Sequence, residues 1–333
     1  MLFGPLNICV LDPGIRDNYG SKSPNLGDVI IQTAVSRELM NLFGDCDISR
    51  ISTHVRMERG HFKVIRDSRY VFVGGSNLLG TGVFMRRRLR WWRQWKVSLR
   101  DAKRIRNAIL LGVGWRQYEG KTGFYTRAIL RAVLSEDALH SVRDEYTKEK
   151  LKAIGIENVV NTGCPATWPL ANANMAEIPT QKADDVLVML TDYMVDRELD
   201  ARLLKILTSR YRQVYCWLQG EGDSTYIGSL GFPVTMLDHS LKAIKDFLAS
   251  HKNCDCIGTR LHGGIFCLLA KKRTLIIRVD NRATELSKSI GLPTVRRDDF
   301  DSISRWITGP TKIEIQVDYE AIHRWKKQFC MVM

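Results

Sequence analysis

The 333 residues are 44% hydrophobic and 26% charged, the make-up of an ordinary globular protein, which excludes a disordered, collagen-like or coiled-coil chain. No apolar run approaches the ~18 residues that span a bilayer, and a length of ~150 residues per domain predicts two domains. Fifty Lys and Arg against thirty-six Asp and Glu leave +14, of which ten basic residues and one acid, Asp101, between positions 86 and 106 supply +9; the charge is a local patch suited to an anionic partner.

Residues 1–11 carry no basic segment ahead of their apolar stretch, unlike a secretory leader. The eight cysteines include no CxxC pair, and reduced, buried thiols in a soluble cytoplasmic protein are expected. His251, Cys254, Cys256 and His262 match no familiar zinc spacing, so no metal site is predicted.

Short runs rich in Val, Ile and Leu alternate with helical periodicity along the chain. Strands are predicted at 6–11, 70–74, 108–113, 140–143 and 159–162, then at 186–190, 214–218, 233–237, 255–258 and 274–279. Each is short and apolar, as buried parallel strands are. Helices are predicted between them, among them 30–43, 125–134, 198–208, 240–249 and an apolar 265–270, with an amphipathic one at 317–331. The alternation predicts an α/β fold with parallel sheets. Pro169, Pro179 and the small, polar residues around them mark a linker at 171–183, between a Rossmann-like domain at 1–170 and a second at 184–310, with residues 311–333 closing the chain as a helix. Two Rossmann-like domains facing a cleft are the expected architecture, with ligands at the carboxyl ends of the strands.

Several strand ends carry glycine and charge. Asn25-Leu26-Gly27-Asp28 leads into the first helix; Asp28 would cap that helix, worth ~1 kcal/mol, or serve as a base or substrate ligand beside its free N–H groups. The next two strands end in Gly74-Gly75-Ser76-Asn77 and Gly112-Val113-Gly114-Trp115-Arg116, without the GxGxxG spacing of a dinucleotide site. Asn25, Gly27, Gly75, Asn77, Gly114 and Arg116 are expected to line the cleft on the acceptor side. Arg143-Asp144-Glu145 opens a helix with a cation that opposes the helix dipole, which either a bound anion or pairing with the neighbouring acids would explain. The sharpest constellation is Thr259-Arg260-Leu261-His262-Gly263-Gly264, at a strand-to-helix turn. Guanidinium, imidazole and helix N-terminus there form an anion cradle. Asp280-Asn281-Arg282 and Glu285 add a second set of charges on the same rim.

Taken in order, Asn25 to Asp28, residues 71–79 and 112–114, Val142-Arg143-Asp144, Thr162-Gly163-Cys164-Pro165, and residues 258–264 and 280–285 resemble the polysaccharide pyruvyltransferase family over roughly residues 5–295. The Gly-Thr-Arg-Leu-His-Gly-Gly element is the most specific of them. The resemblance implies two Rossmann-like domains in a GT-B-like arrangement. It also implies transfer of an enolpyruvyl unit from phosphoenolpyruvate to sugar hydroxyls as a ketal, in cell-surface or exopolysaccharide synthesis, with phosphoenolpyruvate as co-substrate and no other cofactor or metal. Arg260, His262, Gly263, Gly264, Arg282 and Glu285 would hold the donor, with Arg143 reaching it from the first domain. His262 would be the acid that protonates the CH2 group and Asp28 the base. Arg282 and the loop running from Thr162 to Thr167 depart from the family pattern and suggest a subgroup.

The rival reading is a GT-B-type glycosyltransferase whose nucleotide-sugar diphosphate occupies the same cradle. Arg86, Arg87, Arg88 and Arg90 with Trp91, Trp92 and Trp95 suggest attachment to an anionic inner-membrane face, where a lipid-linked saccharide acceptor would be met. Trp prefers such interfaces, and each basic residue contributes ~1 kcal/mol there. The alternative is a solvated helix face with its Trp residues packed on the domain. A nucleic-acid partner is the least favoured, because it leaves the cradle without a purpose.

Overall fold

The computed structural model describes residues 6–81 and 94–330. The chain forms two compact units: one built from the chain up to Ser23, Asp28–Trp168 and the chain from Asp318 onward, the other from Pro24–Gly27 and Pro169–Val317.

The first unit runs β1 (Leu6–Asp12), α1 (Leu26–Phe43), β2 (Cys46–Ser52), α2 (Arg59–Asp67), β3 (Tyr70–Gly74), α3 (Leu99–Ile105), β4 (Ala108–Leu111), α4 (Phe124–Val133), β5 (His140–Val142), α5 (Glu145–Lys152) and β6 (Val159–Asn161). Four parallel strands pair in the order β2-β1-β3-β4. The Gly112 N–H donates to Ser141 O at 3.0 Å and the Arg143 N–H to Val113 O at 3.0 Å, which hands the sheet on to β5 and its partner β6. The chain therefore reverses direction between β1 and β3, the doubly wound pattern with its switch point at those two strands. Ile8, Cys9, Val10 and Leu11 are all buried in succession, as a central strand covered on both faces requires. β2 has no counterpart in the sequence prediction. Its Cys-Asp-Ile-Ser-Arg-Ile-Ser run carries charges because it is an edge strand, where only alternate residues need be apolar.

After the second unit the chain returns to the first as α12 (Tyr319–Cys330). Trp325 and Phe329 pack edge-on against Trp168, Phe72 and Phe43, with ring centroids 5.1–6.2 Å apart across the cluster. The Gln328 amide exchanges hydrogen bonds with the Leu139 main chain at 2.8 and 3.0 Å.

The second unit runs β7 (Asp185–Met189), α6 (Arg197–Arg210), β8 (Gln213–Trp217), α7 (Asp223–Gly228), β9 (Thr235–Leu237), α8 (Leu241–Ser250), β10 (Cys254–Gly258), α9 (Leu261–Leu269), β11 (Thr274–Arg278), α10 (Asn281–Ile290), β12 (Thr294–Arg296) and α11 (Phe300–Thr308). All six strands are parallel in the order β12-β11-β10-β7-β8-β9. This is the Rossmann order, with the switch point between β7 and β10. β12 is a three-residue edge strand, too short for its pattern to stand out. His251 stacks on Phe247 at 4.1 Å between centroids, and Cys256 and Cys267 are free, buried thiols.

His140 splices β4 to β5. It is fully buried, its Nε2 donates to Ser135 O at 2.9 Å and its Nδ1 accepts from the Leu110 N–H at 3.3 Å. Burial holds its pKa at about 4, below the ordinary 6.5. The unfolded chain therefore binds a proton that the folded one refuses between those values, and stability falls as pH drops through that window. Wild type should lose about 3 kcal/mol more than His140→Gln between pH 7 and pH 4, measured by urea unfolding. Equal losses would show that His140 is protonated in the fold.

Candidate active site at the strand ends

In the second unit the site grows from one close contact. Gly258 pairs with Met189 across β10 and β7; it adopts φ +156°, and a Cβ there would collide with the Met189 backbone. The Thr259 N–H then donates to Met189 O at 2.7 Å, and Thr259 Oγ1 accepts the Thr191 N–H at 3.0 Å. The next residue, Arg260, is the N-cap of α9.

Arg260 is 4% exposed. Its Nη2 donates to Asp192 Oδ1 at 3.0 Å and to Asp223 Oδ1, its Nε to Leu190 O at 3.4 Å, and its guanidinium lies 5.1 Å from the Tyr193 ring centre. Asp223 is fully buried. Its Oδ2 accepts the Gln219 and Gly220 N–H groups at 2.8 Å, and its Oδ1 the Asp192 N–H at 3.1 Å. Asp192 is the surface partner, its side chain 31% exposed. One carboxylate is thus locked in place, and the other is part-exposed, with its Oδ2 accepting the Gly222 N–H at 3.1 Å.

His262 is buried on the first turn of α9. The segment Pro24–Gly27 lies on this unit: the Leu26 N–H donates to Gln219 O at 2.9 Å, and a Cβ on Gly27 would sit 3.6 Å from His262 Nδ1. Gly263 faces the Gln219 amide and Met189 Sδ, and Gly264 faces Ile276, so both let α9 press onto the strands. Arg282 binds Asp280 through Nε at 2.9 Å and Nη2 at 2.5 Å, and the Tyr193 hydroxyl at 2.6 Å. Burial opposes its charge, but Asp280 and Tyr193 more than offset this and hold its pKa well above the ordinary value. Glu285 is buried and bound by Lys288 at 2.8 Å. Arg260, His262, Gly263, Gln219, Asn25 and Gly27 therefore belong to one unit.

The first unit gathers a second set. α1 begins at Leu26, earlier than predicted, and Asn25 Oδ1 takes the capping place by accepting the Gly27 N–H at 3.1 Å. This displaces Asp28 from the cap into the first turn, where its carboxylate accepts the Ser76 hydroxyl at 3.1 Å and the Ser23 hydroxyl at 3.4 Å. Gly75 and Ser76 both adopt φ +62°, which turns the chain sharply after β3.

Arg143 is 2% exposed. Its Nη1 donates to Asn77 Oδ1, its Nε to Asp144 Oδ2 at 2.9 Å and its Nη2 to Trp115 O at 3.4 Å. Gly114 makes room for it, since a Cβ there would strike the guanidinium. Of the two expectations, pairing with Asp144 is the one found, inside the fold rather than on its surface. Arg116 is half-buried at the end of this turn, its N–H donating to Leu79 O at 2.8 Å.

The expected membrane patch is altered at one residue. Trp95 is 1% exposed and packs in the core with Val97, Ala102 and Ile105, so it is not available to a lipid interface. Arg86, Arg87, Arg88, Arg90, Trp91 and Trp92 lie outside the described residues.

Sequence reasoning passed over Asp192, Tyr193, Gln219 and Asp223. The run Gln219-Gly220-Glu221-Gly222-Asp223 after β8 carries the same glycine-and-charge signal as the other strand ends and was the available clue.

Two doubly wound units with buried ion pairs at their strand ends define a Rossmann-type α/β protein. Residues 25–281 match the family model for polysaccharide pyruvyl transferase, and the chain belongs to that family, which makes it a transferase. No curated protein matches it. Among solved structures, E. coli heptosyltransferase WaaC with ADP-2-deoxy-2-fluoro heptose is similar at 10% identity and a TM-score of 0.34, over 81% of this chain and 87% of that one.

Because Asp223 is locked in place, Arg260→Ala should cost about 3–5 kcal/mol by leaving a buried carboxylate unpaired. Adding Asp223→Asn should recover part of that loss in urea unfolding. A single variant as stable as wild type would show that the pair does not hold the loop.

Proposed function

We propose that the protein transfers an enolpyruvyl unit from phosphoenolpyruvate to two hydroxyls of a saccharide, forming a pyruvate ketal in cell-surface or exopolysaccharide synthesis. The observation that carries this reading is the pairing of Arg260 and His262 at the N-terminus of α9, at the β7/β10 switch point, in a chain of this family. Phosphoenolpyruvate carries a carboxylate and a phosphate on three carbons, so its site needs convergent cations and N–H donors.

His262 is the proposed acid. Protonation of the CH2 group makes a methyl group and leaves the adjacent carbon electron-poor. One sugar hydroxyl adds there, phosphate departs, and a second hydroxyl closes the ketal. Of the two hydroxyl protons released, one balances the methyl group and the other leaves with phosphate. Asp28, fixed by the Ser23 and Ser76 hydroxyls, is the proposed base. The donor's anionic end takes the place of Asp192 on Arg260.

A lipid-linked acceptor met at a membrane surface is the finer form of this reading. It rests on the basic stretch 86–106 without Trp95. No helix among the described residues is long and apolar enough to cross a membrane.

Melting temperature against phosphoenolpyruvate, UDP, GDP and CMP separates donors without a known acceptor, since a ligand at 100 times its Kd adds ~2.7 kcal/mol. Phosphoenolpyruvate alone should stabilise wild type, and His262→Ala should lose the shift from its own baseline. Stabilisation by a nucleotide instead would replace this reading with a nucleotide-sugar glycosyltransferase.

A further inference from the structure

The start of α9 lies against a buried hydrogen-bond donor that has no acceptor among the described residues. α6, α8, α10 and α11 each have an Asp or Ser at the N-cap whose oxygen accepts a backbone N–H: Asp196, Ser240, Asp280 and Asp299. α9 has Arg260 in that place, and the Arg260 side chain makes no capping bond. Its first residues, Leu261, His262 and Gly263, are nevertheless buried. The opening N–H groups of a helix have no partner within it, and buried ones need an acceptor from elsewhere.

A second observation points to the same place from another strand. Gln219, two residues beyond β8, is 1% exposed, and its Nε2 has no hydrogen-bond partner among the described residues. The amide lies against the first turn of α9, because a Cβ on Gly263 would run into Nε2. An unmet buried donor costs stability, and the carboxylates nearby do not relieve it: Asp223 and Asp192 are turned to Arg260 and to main-chain N–H groups. The Arg260 guanidinium, the N-terminal end of α9 and the Gln219 NH2 group are all donors, so their common complement is a group made only of acceptors. A tetrahedral oxyanion supplies several acceptor oxygens to donors arriving from different directions.

We propose that Gln219 and the first turn of α9 form a phosphate-binding subsite, in which the Gln219 Nε2–H group donates to a phosphate oxygen. Gln219 is then a binding residue of the donor site, contributed by β8. Only the identity of the molecule that bears the phosphate rests on the proposed pyruvyl transfer.

The test is calorimetric titration of wild type, Gln219→Met and Gln219→Glu with inorganic phosphate, phosphoenolpyruvate and pyruvate, together with each protein's unliganded melting temperature. Gln219→Met keeps the length of the side chain and removes the donor. It should weaken phosphate and phosphoenolpyruvate about tenfold or more, leave pyruvate unchanged, and melt at or above the wild-type temperature because an unmet donor is gone. Gln219→Glu should abolish phosphate binding. If Gln219→Met melts lower and binds phosphate as wild type does, Gln219 holds the helix and the subsite is overturned. Phosphoenolpyruvate binding that ignores both substitutions also removes the subsite and leaves pyruvyl transfer standing. Phosphate binding that depends on Gln219, without any affinity for phosphoenolpyruvate, keeps the subsite and removes that donor. Failure of wild type to bind either phosphate compound overturns both.

Discussion

The backbone of Gly258 lies against that of Met189 closer than any Cβ would allow, and from that contact the two central strands of the second unit diverge. β7 leads to Asp192 and Tyr193 and β10 to Arg260 and α9, so side chains almost seventy positions apart in sequence meet at one switch point. Thr259 pins the divergence with hydrogen bonds to Met189 and Thr191. The glycines of the first turn of α9 then let the helix press onto the sheet, which buries its N-terminus.

Two buried arginines show how similar sequence signals come to mean different things. Arg143 has Asn77, Asp144 and a main-chain carbonyl around it, and Asp144 goes on to cap α5 through the Thr147 N–H. Every part of that cluster is engaged inside the fold, so it braces the strand ends of the first unit. Arg260 is balanced differently, with one carboxylate locked behind it and the other near the surface. A buried charge stays in place only while it is compensated, so an anion that replaces Asp192 can be accommodated without unpairing Arg260. The two arginines thus differ in the exposure of one partner carboxylate, Asp144 being fully buried and Asp192 31% exposed.

Much of this was legible in the sequence because central parallel strands announce themselves as short apolar runs. The predictions at 6–11, 70–74 and 255–258 fall on β1, β3 and β10 nearly residue for residue. β2 and β12 were missed because edge strands need not be apolar throughout and β12 has only three residues. Of the two readings of Asp28, the cap fails because Asn25, three residues earlier, takes that role, and the pattern alone does not rank them. Trp95 looked like part of a basic surface because of its neighbours in sequence, whereas its neighbours in space are apolar. Asp192, Asp223 and Gln219 were not read because their meaning arises only when β7, β8 and β10 lie side by side.

A crystal structure with phosphoenolpyruvate tests the central claim most directly, because it shows which donors the ligand's oxygens choose. The expected result is the ligand at the carboxyl ends of β7 and β10, with its phosphate at the first turn of α9 beside Gln219 and with His262 and Arg260 in contact with it. Phosphoenolpyruvate bound on another surface, or absent from this site at saturating concentration, would contradict it.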